Sequence, residues 1–140
     1  MFNCTLNLTD SHESNQVVSL AQIDKDIQVR RPYGIEKSRW DAILISYYLS
    51  HNYRDAVEEL GFRTYLDASN ELALLLDVKP GFIKRTRDGF DPFFPNSKVG
   101  YYQRPLRPSR QYVFDYFQTV SDDDLSTYIN WLVEEYKSNR

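Results

Sequence analysis

The sequence predicts a mainly α-helical domain of about five helices. Two stretches carry this prediction, because their apolar residues recur every three or four positions, as on the buried face of a helix. These residues are Trp40, Ile43, Leu44, Tyr47 and Tyr48 in the first stretch and Ala68, Leu72, Leu75 and Leu76 in the second. Glycine and proline separate the stretches from their neighbours, which limits the length of each helix. A chain of 140 residues is large enough to bury one such core.

The first helix is predicted to begin at Ser38. Ser38 and Asp41 are three positions apart, which resembles a capping box with Asp in the usual place of Glu. Trp40, near this start, is expected to anchor the core. A short second helix is predicted over Arg54–Leu60, and Gly61 is expected to end it because glycine readily adopts the left-handed conformation that follows helices.

The third and fourth helices are predicted to form a helix-turn-helix-like unit over residues 64–89. Thr64 and Asp67 are candidate caps for the third helix, which is expected to end near Asp77. A turn of about three residues separates it from the fourth helix, as in helix-turn-helix motifs. Proteins with this motif place the second helix in the DNA major groove, although ordinary helical domains contain similar hairpins.

The fourth helix is predicted over Pro80–Asp88. Proline suits the first turn of a helix, because the backbone N–H that it lacks has no partner there, and Gly89 is expected to close the helix. The predicted inward side chains are Ile83 and either Thr86 or Phe90. The predicted outward side chains are Lys79, Lys84, Arg85 and Arg87.

Residues 90–108 are predicted to form a Pro/Gly-rich basic loop, comparable to a wing. Proline interrupts any regular helix there, at Pro92, Pro95, Pro105 and Pro108.

Two further helices are predicted over Ser109–Phe117 and Leu125–Lys137. Ser121 or Asp122 is expected to cap the last helix.

Residues 1–36 are predicted as a separate N-terminal arm or small β extension, and residues 37–140 as the helical domain. Apolar and polar residues alternate over residues 2–8, which is typical of a half-buried strand. Val17–Ile23 and Ile27–Val29 could supply short partner strands. A mobile arm without strands is an equally good interpretation.

Positive charge is concentrated in residues 77–110. This segment has eight Lys and Arg against three Asp, a net charge of +5, whereas the whole chain has a net charge of −3. A locally basic surface with planar side chains is typical of contact with phosphates and bases. The alternative, that the aromatic residues only pack an ordered loop, stays open. The candidate DNA-binding residues are Lys79, Lys84, Arg85, Arg87, Lys98, Tyr102, Arg104, Arg107 and Arg110.

Residues that would carry catalysis are scarce. His12 and His51 are the only histidines, and Cys4 is the only cysteine, so the chain has no internal disulfide and no zinc-ligand spacing. Glycine-rich phosphate loops and the common hydrolase motifs are absent from the sequence. Its apolar runs are too short to cross a bilayer. We therefore expect a cytoplasmic, non-enzymatic protein without metal or cofactor.

Part of the sequence resembles a known type of domain. This part comprises the run from Glu71 to Pro92, Asn96, and the stretch from Gly100 to Leu106. It is similar to the small helical DNA-binding-type domains that precede the nuclease part of some bacterial restriction endonucleases. The resemblance implies a DNA-reading accessory domain. We expect a bacterial or phage source. The contacts that it implies are Lys84, Arg85, Arg87 and Arg104. No nuclease part follows in these residues, so both an excised domain and a free-standing protein stay open.

The sequence therefore predicts a non-catalytic module that binds double-stranded DNA through the basic 79–110 segment, with a link to restriction or mobile-element defence. The alternative is a protein–protein interaction module, such as a phage- or plasmid-borne inhibitor or a subunit adaptor, whose acidic surface meets a basic partner. Clustered Lys and Arg favour the first function, and the acidic net charge favours the second.

Overall fold

The computed structural model describes residues 20–94 and 104–139, which are mainly helical and contain no strand. Their seven α-helices are α1 (residues 20–29), α2 (Lys37–Asn52), α3 (Arg54–Glu59), α4 (Tyr65–Leu76), α5 (Phe82–Phe90), α6 (Pro108–Phe117) and α7 (Asp122–Ser138). The predicted mainly α fold is confirmed, with more helices than the five expected. Among the described residues, no helix combines the length and apolar character that a membrane crossing requires.

Helix α2 lies at the centre of the domain. Its eleven consecutive residues from Trp40 to Ser50 are all buried, so the helix is covered on every side and not along a single stripe. All of the later α-helices contact it, and α5 packs along it most extensively. The indole N–H of Trp40 donates a hydrogen bond to the carbonyl of Ile27 in α1 at 3.1 Å. The prediction that Trp40 anchors the core is confirmed.

The capping box predicted for α2 is wrong. The helix begins one residue before Ser38, at Lys37, and no side chain caps its start. Asp41 is instead fully buried. Its carboxylate accepts hydrogen bonds from Gln28, Lys37 and Tyr136 at 2.8, 2.7 and 2.6 Å. A buried carboxylate needs several donors to replace its lost hydration, and these donors tie α2 to α1 and α7.

The strands predicted over Val17–Ile23 and Ile27–Val29 are wrong where the structure describes them, because residues 20–29 form helix α1. Ile23 and Ile27 are four positions apart on its buried face. The two acids between them obscured this helical period, since both face neighbouring helices. Asp24 accepts a hydrogen bond from the Tyr128 hydroxyl at 2.8 Å, and Asp26 accepts one from the Tyr116 hydroxyl at 3.2 Å. The strand predicted over residues 2–8 lies outside the described residues, and the domain boundary after residue 36 stays a prediction.

The ends predicted for α3 and α4 from local chemistry are confirmed. Gly61 has a φ of +88° and donates its N–H to the carbonyl of Glu58 at 3.0 Å, which closes α3. The Thr64 hydroxyl accepts a hydrogen bond from the backbone N–H of Asp67 at 3.1 Å and caps α4. Helix α4 ends at Leu76, next to the predicted position.

The predicted limits of α5 are wrong. The helix begins two residues later than expected, because Gly81 occupies the N-cap with a φ of +86° and turns the chain after Pro80. Gly89 lies inside the helix and does not end it. The predicted inward residues are confirmed, since the buried face includes Ile83, Thr86 and Phe90.

The two predicted C-terminal helices are present as α6 and α7. The Ser121 hydroxyl accepts a hydrogen bond from the backbone N–H of Asp124 at 3.1 Å, so Ser121 is the cap of α7. The start of the predicted basic loop contains a 3₁₀-helix over Asp91–Phe93. Residues 95–103 of this loop lie outside the described residues.

Leu76→Ala is expected to destabilise the domain more than Leu75→Ala. Leu76 is almost completely buried, whereas Leu75 is only partly covered. Truncation of a buried leucine typically costs about 2–5 kcal/mol of unfolding free energy. Urea melts of the two variants measure the difference. Equal losses would show that α4 is rotated away from the described packing.

Candidate nucleic-acid interface

A polar groove of about 420 Å³ opens where the start of α2 meets the turn between α4 and α5. Its basic side chains belong to Arg39, Lys79 and Arg85, and all three residues are exposed. Two carboxylates, those of Glu36 and Asp77, line the same groove. Among the described residues, no ion pair joins the three cations to either carboxylate. The groove therefore keeps cations available to an incoming anion.

Arg39 contributes a charge that the sequence analysis missed. It lies in the first turn of α2, far from the basic segment 77–110. Its guanidinium carbon lies 4.8 Å from the centre of the Phe82 ring, in the first turn of α5, where cation–π attraction holds it. No local pattern in the sequence reports this contact, because it depends on how α2 and α5 pack.

Arg85 folds back over the beginning of α5. A Cβ added to Gly81 would lie 2.8 Å from the Nη1 atom of Arg85, so the guanidinium rests against this glycine. Gly81 is the N-cap of α5, and no side chain caps it. The start of a helix presents N–H groups without intrahelical partners and a positive partial charge. A cation held there makes the helix start a stronger attractor for phosphate.

Basic residues at the start of α6 extend this surface. Arg110 is half-buried, and burial lowers the pKa of its guanidinium, with further lowering from the nearby charges of Arg107 and Arg39. Arg107 is exposed, directly before α6. Like charges held close together create a positive potential that attracts anions. The basic face, as we name this surface, consists of Arg39, Lys79, Arg85, Arg107 and Arg110.

Arg87 does not belong to the basic face, and its predicted outward position is wrong. Only 3% of the residue is exposed. Its Nε donates to the Asp91 carboxylate at 3.2 Å, and its guanidinium carbon lies 3.6 Å from the centre of the Tyr65 ring. Burial acts to lower the pKa of Arg87, but Tyr65 and Asp91 raise it overall. Both α2 and α4 pack on α5, so its buried stripe is wider than the apolar pattern indicates.

The other predicted contact residues are less tightly grouped. Lys84 is exposed, but its ammonium group forms an ion pair with Asp88 at 3.0 Å, which offsets its charge. Arg104 is exposed. Lys98 and Tyr102 lie outside the described residues, so their contacts stay predictions.

The chemistry of the basic face is that of anion binding by guanidinium, ammonium and backbone N–H groups. In the part of the chain that the structure describes, no three His, Cys, Asp or Glu side chains are arranged to hold a metal ion. No family model matches the sequence, and no curated protein or solved structure matches it either. The resemblance to restriction-endonuclease domains therefore stays a prediction.

Arg87→Ala is expected to destabilise the protein far more than Arg85→Ala. Removing one partner of a buried ion pair typically costs about 3–5 kcal/mol of unfolding free energy, and both Arg87 and Asp91 are buried. Arg85 is exposed, so its truncation is expected to change the unfolding free energy by less than about 0.5 kcal/mol. Urea melts compare the two variants, and similar midpoints would contradict the buried position of Arg87.

Proposed function

We propose that the protein is a non-catalytic module that binds double-stranded DNA through its basic face. The observation that carries this proposal is the convergence of cations from α2, the α4–α5 turn and the start of α6. The nearby positive charges of Arg107 and Arg39 both lower the pKa of the Arg110 guanidinium. Duplex phosphates neutralise such clusters and release counterions, which supplies much of the affinity for DNA. The net charge of −3 on the whole chain directs the duplex toward this face and away from the rest of the surface.

In the proposed contact, α4 and α5 act as a helix-turn-helix-like unit, and only part of α5 contacts the DNA. We place the DNA contact in the first half of α5, where Arg85 is exposed, because Arg87 in the following turn is buried. In helix-turn-helix proteins, the N-terminal residues of the second helix contact base edges. Arg85 can donate two hydrogen bonds to guanine, whereas Lys79 acts on phosphate as a point charge.

The resemblance to domains of restriction endonucleases suggests the setting of this activity. We propose that the module reads DNA within a restriction or mobile-element defence system. Arg104 is exposed and lies within the described part of the basic loop. We expect it to add a further phosphate contact. Its contribution would be sequence-independent.

A protein–protein interaction module is the second candidate, and exposed leucines on α4 favour it. Leu66 and Leu74 are 60% and 65% exposed, and they share the exposed surface of α4 with Asp67 and Glu71. Apolar side chains beside carboxylates are typical of a surface that meets a basic partner. An inhibitor or subunit adaptor would use this surface and not the basic face.

The duplex-binding proposal predicts a difference between two double variants of equal charge. Lys79→Ala with Arg85→Ala removes two cations from the basic face. Arg54→Ala with Arg63→Ala removes two exposed cations from another groove. We expect the first double variant to weaken duplex binding and to reduce the slope of log K against log salt by about two. The second should bind like the wild type. Fluorescence anisotropy with a labelled mixed-sequence duplex at several salt concentrations measures both.

Arg85→Ala alone distinguishes base contacts from phosphate contacts. We expect it to cost about 1–3 kcal/mol on a preferred duplex and to relax the sequence preference. Absence of duplex binding by the wild type at low salt would contradict the proposal. Equal weakening by the two double variants would contradict it as well, and the protein-partner function would then take its place.

A further inference from the structure

A second groove lies at the opposite end of the α4–α5 hairpin. Its lining includes Tyr53, Arg54, Glu58, Arg63 and Tyr65, and its volume is about 300 Å³. The twelve residues of α4 separate it from the basic face, which is about 18 Å along a helix. Ligand pockets in proteins begin at about this volume. The groove is therefore large enough for a small planar ligand and is separate from the proposed duplex contact.

Tyr53 enters this groove from a rare backbone conformation. It is the single residue between α2 and α3, and its φ and ψ are 47° and −112°. A non-glycine residue with positive φ is uncommon, and such conformations cluster at functional sites. The residue is 42% exposed despite its aromatic ring. The turn thus holds a large planar surface at the edge of the groove.

A buried ion pair fixes the aromatic walls from behind. The Arg87 guanidinium carbon lies 3.6 Å from the centre of the Tyr65 ring and 5.3 Å from the centre of the Tyr53 ring. Asp91 accepts from Arg87 at 3.2 Å and from the Ser50 hydroxyl at 2.5 Å. A buried ion pair often stabilises a fold no better than apolar residues would. Here it orients two rings before any ligand binds, and such preorganisation strengthens binding.

Charged side chains at the rim suit an anionic ligand. Arg54 and Arg63 are exposed and line the groove, and the carboxylate that accompanies them is that of Glu58. Arginine matches phosphate geometry with parallel donors. Aromatic rings provide stacking surfaces for any base. The site therefore offers separate contacts for a planar group and for a phosphate.

We infer that this groove binds a nucleotide, with its base against Tyr53 and Tyr65 and its phosphate on Arg54 and Arg63. The inference is independent of the duplex contact, because the groove shares no lining residue with the groove of the basic face. The nucleotide can be free, or it can be an unpaired nucleotide of a single strand. Both sources present the same base and phosphate to the same side chains.

Isothermal titration of the full chain with adenosine 5′-monophosphate tests the inference. We expect the monophosphate to bind more tightly than adenosine or inorganic phosphate, because only it uses both kinds of contact. Tyr53→Gly removes the ring, and glycine accepts the positive φ without strain. This variant should weaken binding of the monophosphate about tenfold and leave phosphate binding unchanged.

A double variant of Arg54 and Arg63 tests the phosphate contact, and a second double variant with the same change in charge is its control. Arg54→Ala with Arg63→Ala should weaken both the monophosphate and phosphate, whereas Lys25→Ala with Lys137→Ala, which removes two exposed cations outside both grooves, should change neither. Circular dichroism verifies that each variant is folded. A single-stranded oligodeoxynucleotide tested on the same variants shows whether a strand can supply the nucleotide.

No binding of the monophosphate at millimolar concentration, or equal binding by wild type and the Arg54/Arg63 variant, would overturn the inference. Either result could occur with duplex binding intact.

Discussion

The domain depends on the burial of α2 on every side. Since no stripe of Trp40–Ser50 reaches solvent, the other helices must surround it, and its polar groups must find partners inside. Ser46 donates to the carbonyl of Ala42 at 2.7 Å, and Ser50 donates to the Asp91 carboxylate at 2.5 Å. Helix α5 forms the most extensive of these packings. The turn that carries Lys79 therefore has its position set by the core.

The arginine side chains at the two ends of the α4–α5 hairpin differ in their exposure to solvent. At one end, Arg85 and Arg39 are exposed and line a groove, which suits a flexible, charge-driven contact with phosphate. At the other end, Arg87 is buried between Tyr53 and Tyr65, which suits a rigid aromatic wall. Under the two proposals, the same residue type serves ligand contact where it is exposed and preorganisation where it is buried.

Some helix boundaries that depend on neighbouring residues could be predicted from the sequence, whereas the local signals at Ser38 and Pro80 misplaced the starts of α2 and α5. The stop of α3 at Gly61 and the cap of α4 at Thr64 depend on backbone and side-chain chemistry within a few positions. Contacts between distant segments could not be predicted. Arg39 meets Phe82 only because α2 packs on α5, and the burial of Arg87 depends on the same packing. Charge clustering along the chain identified most of the basic face, but burial decides which cations are available.

The central claim is that the packing of α2 on α5 adds Arg39 to a DNA-binding face from outside the basic segment. The salt dependence of duplex affinity for wild type, Arg39→Ala and Arg39→Lys tests it most directly. Arg39→Ala should weaken binding and reduce the slope of log K against log salt by about one, whereas Arg39→Lys should keep the slope because lysine preserves the charge. An unchanged slope for a correctly folded Arg39→Ala variant would contradict the claim.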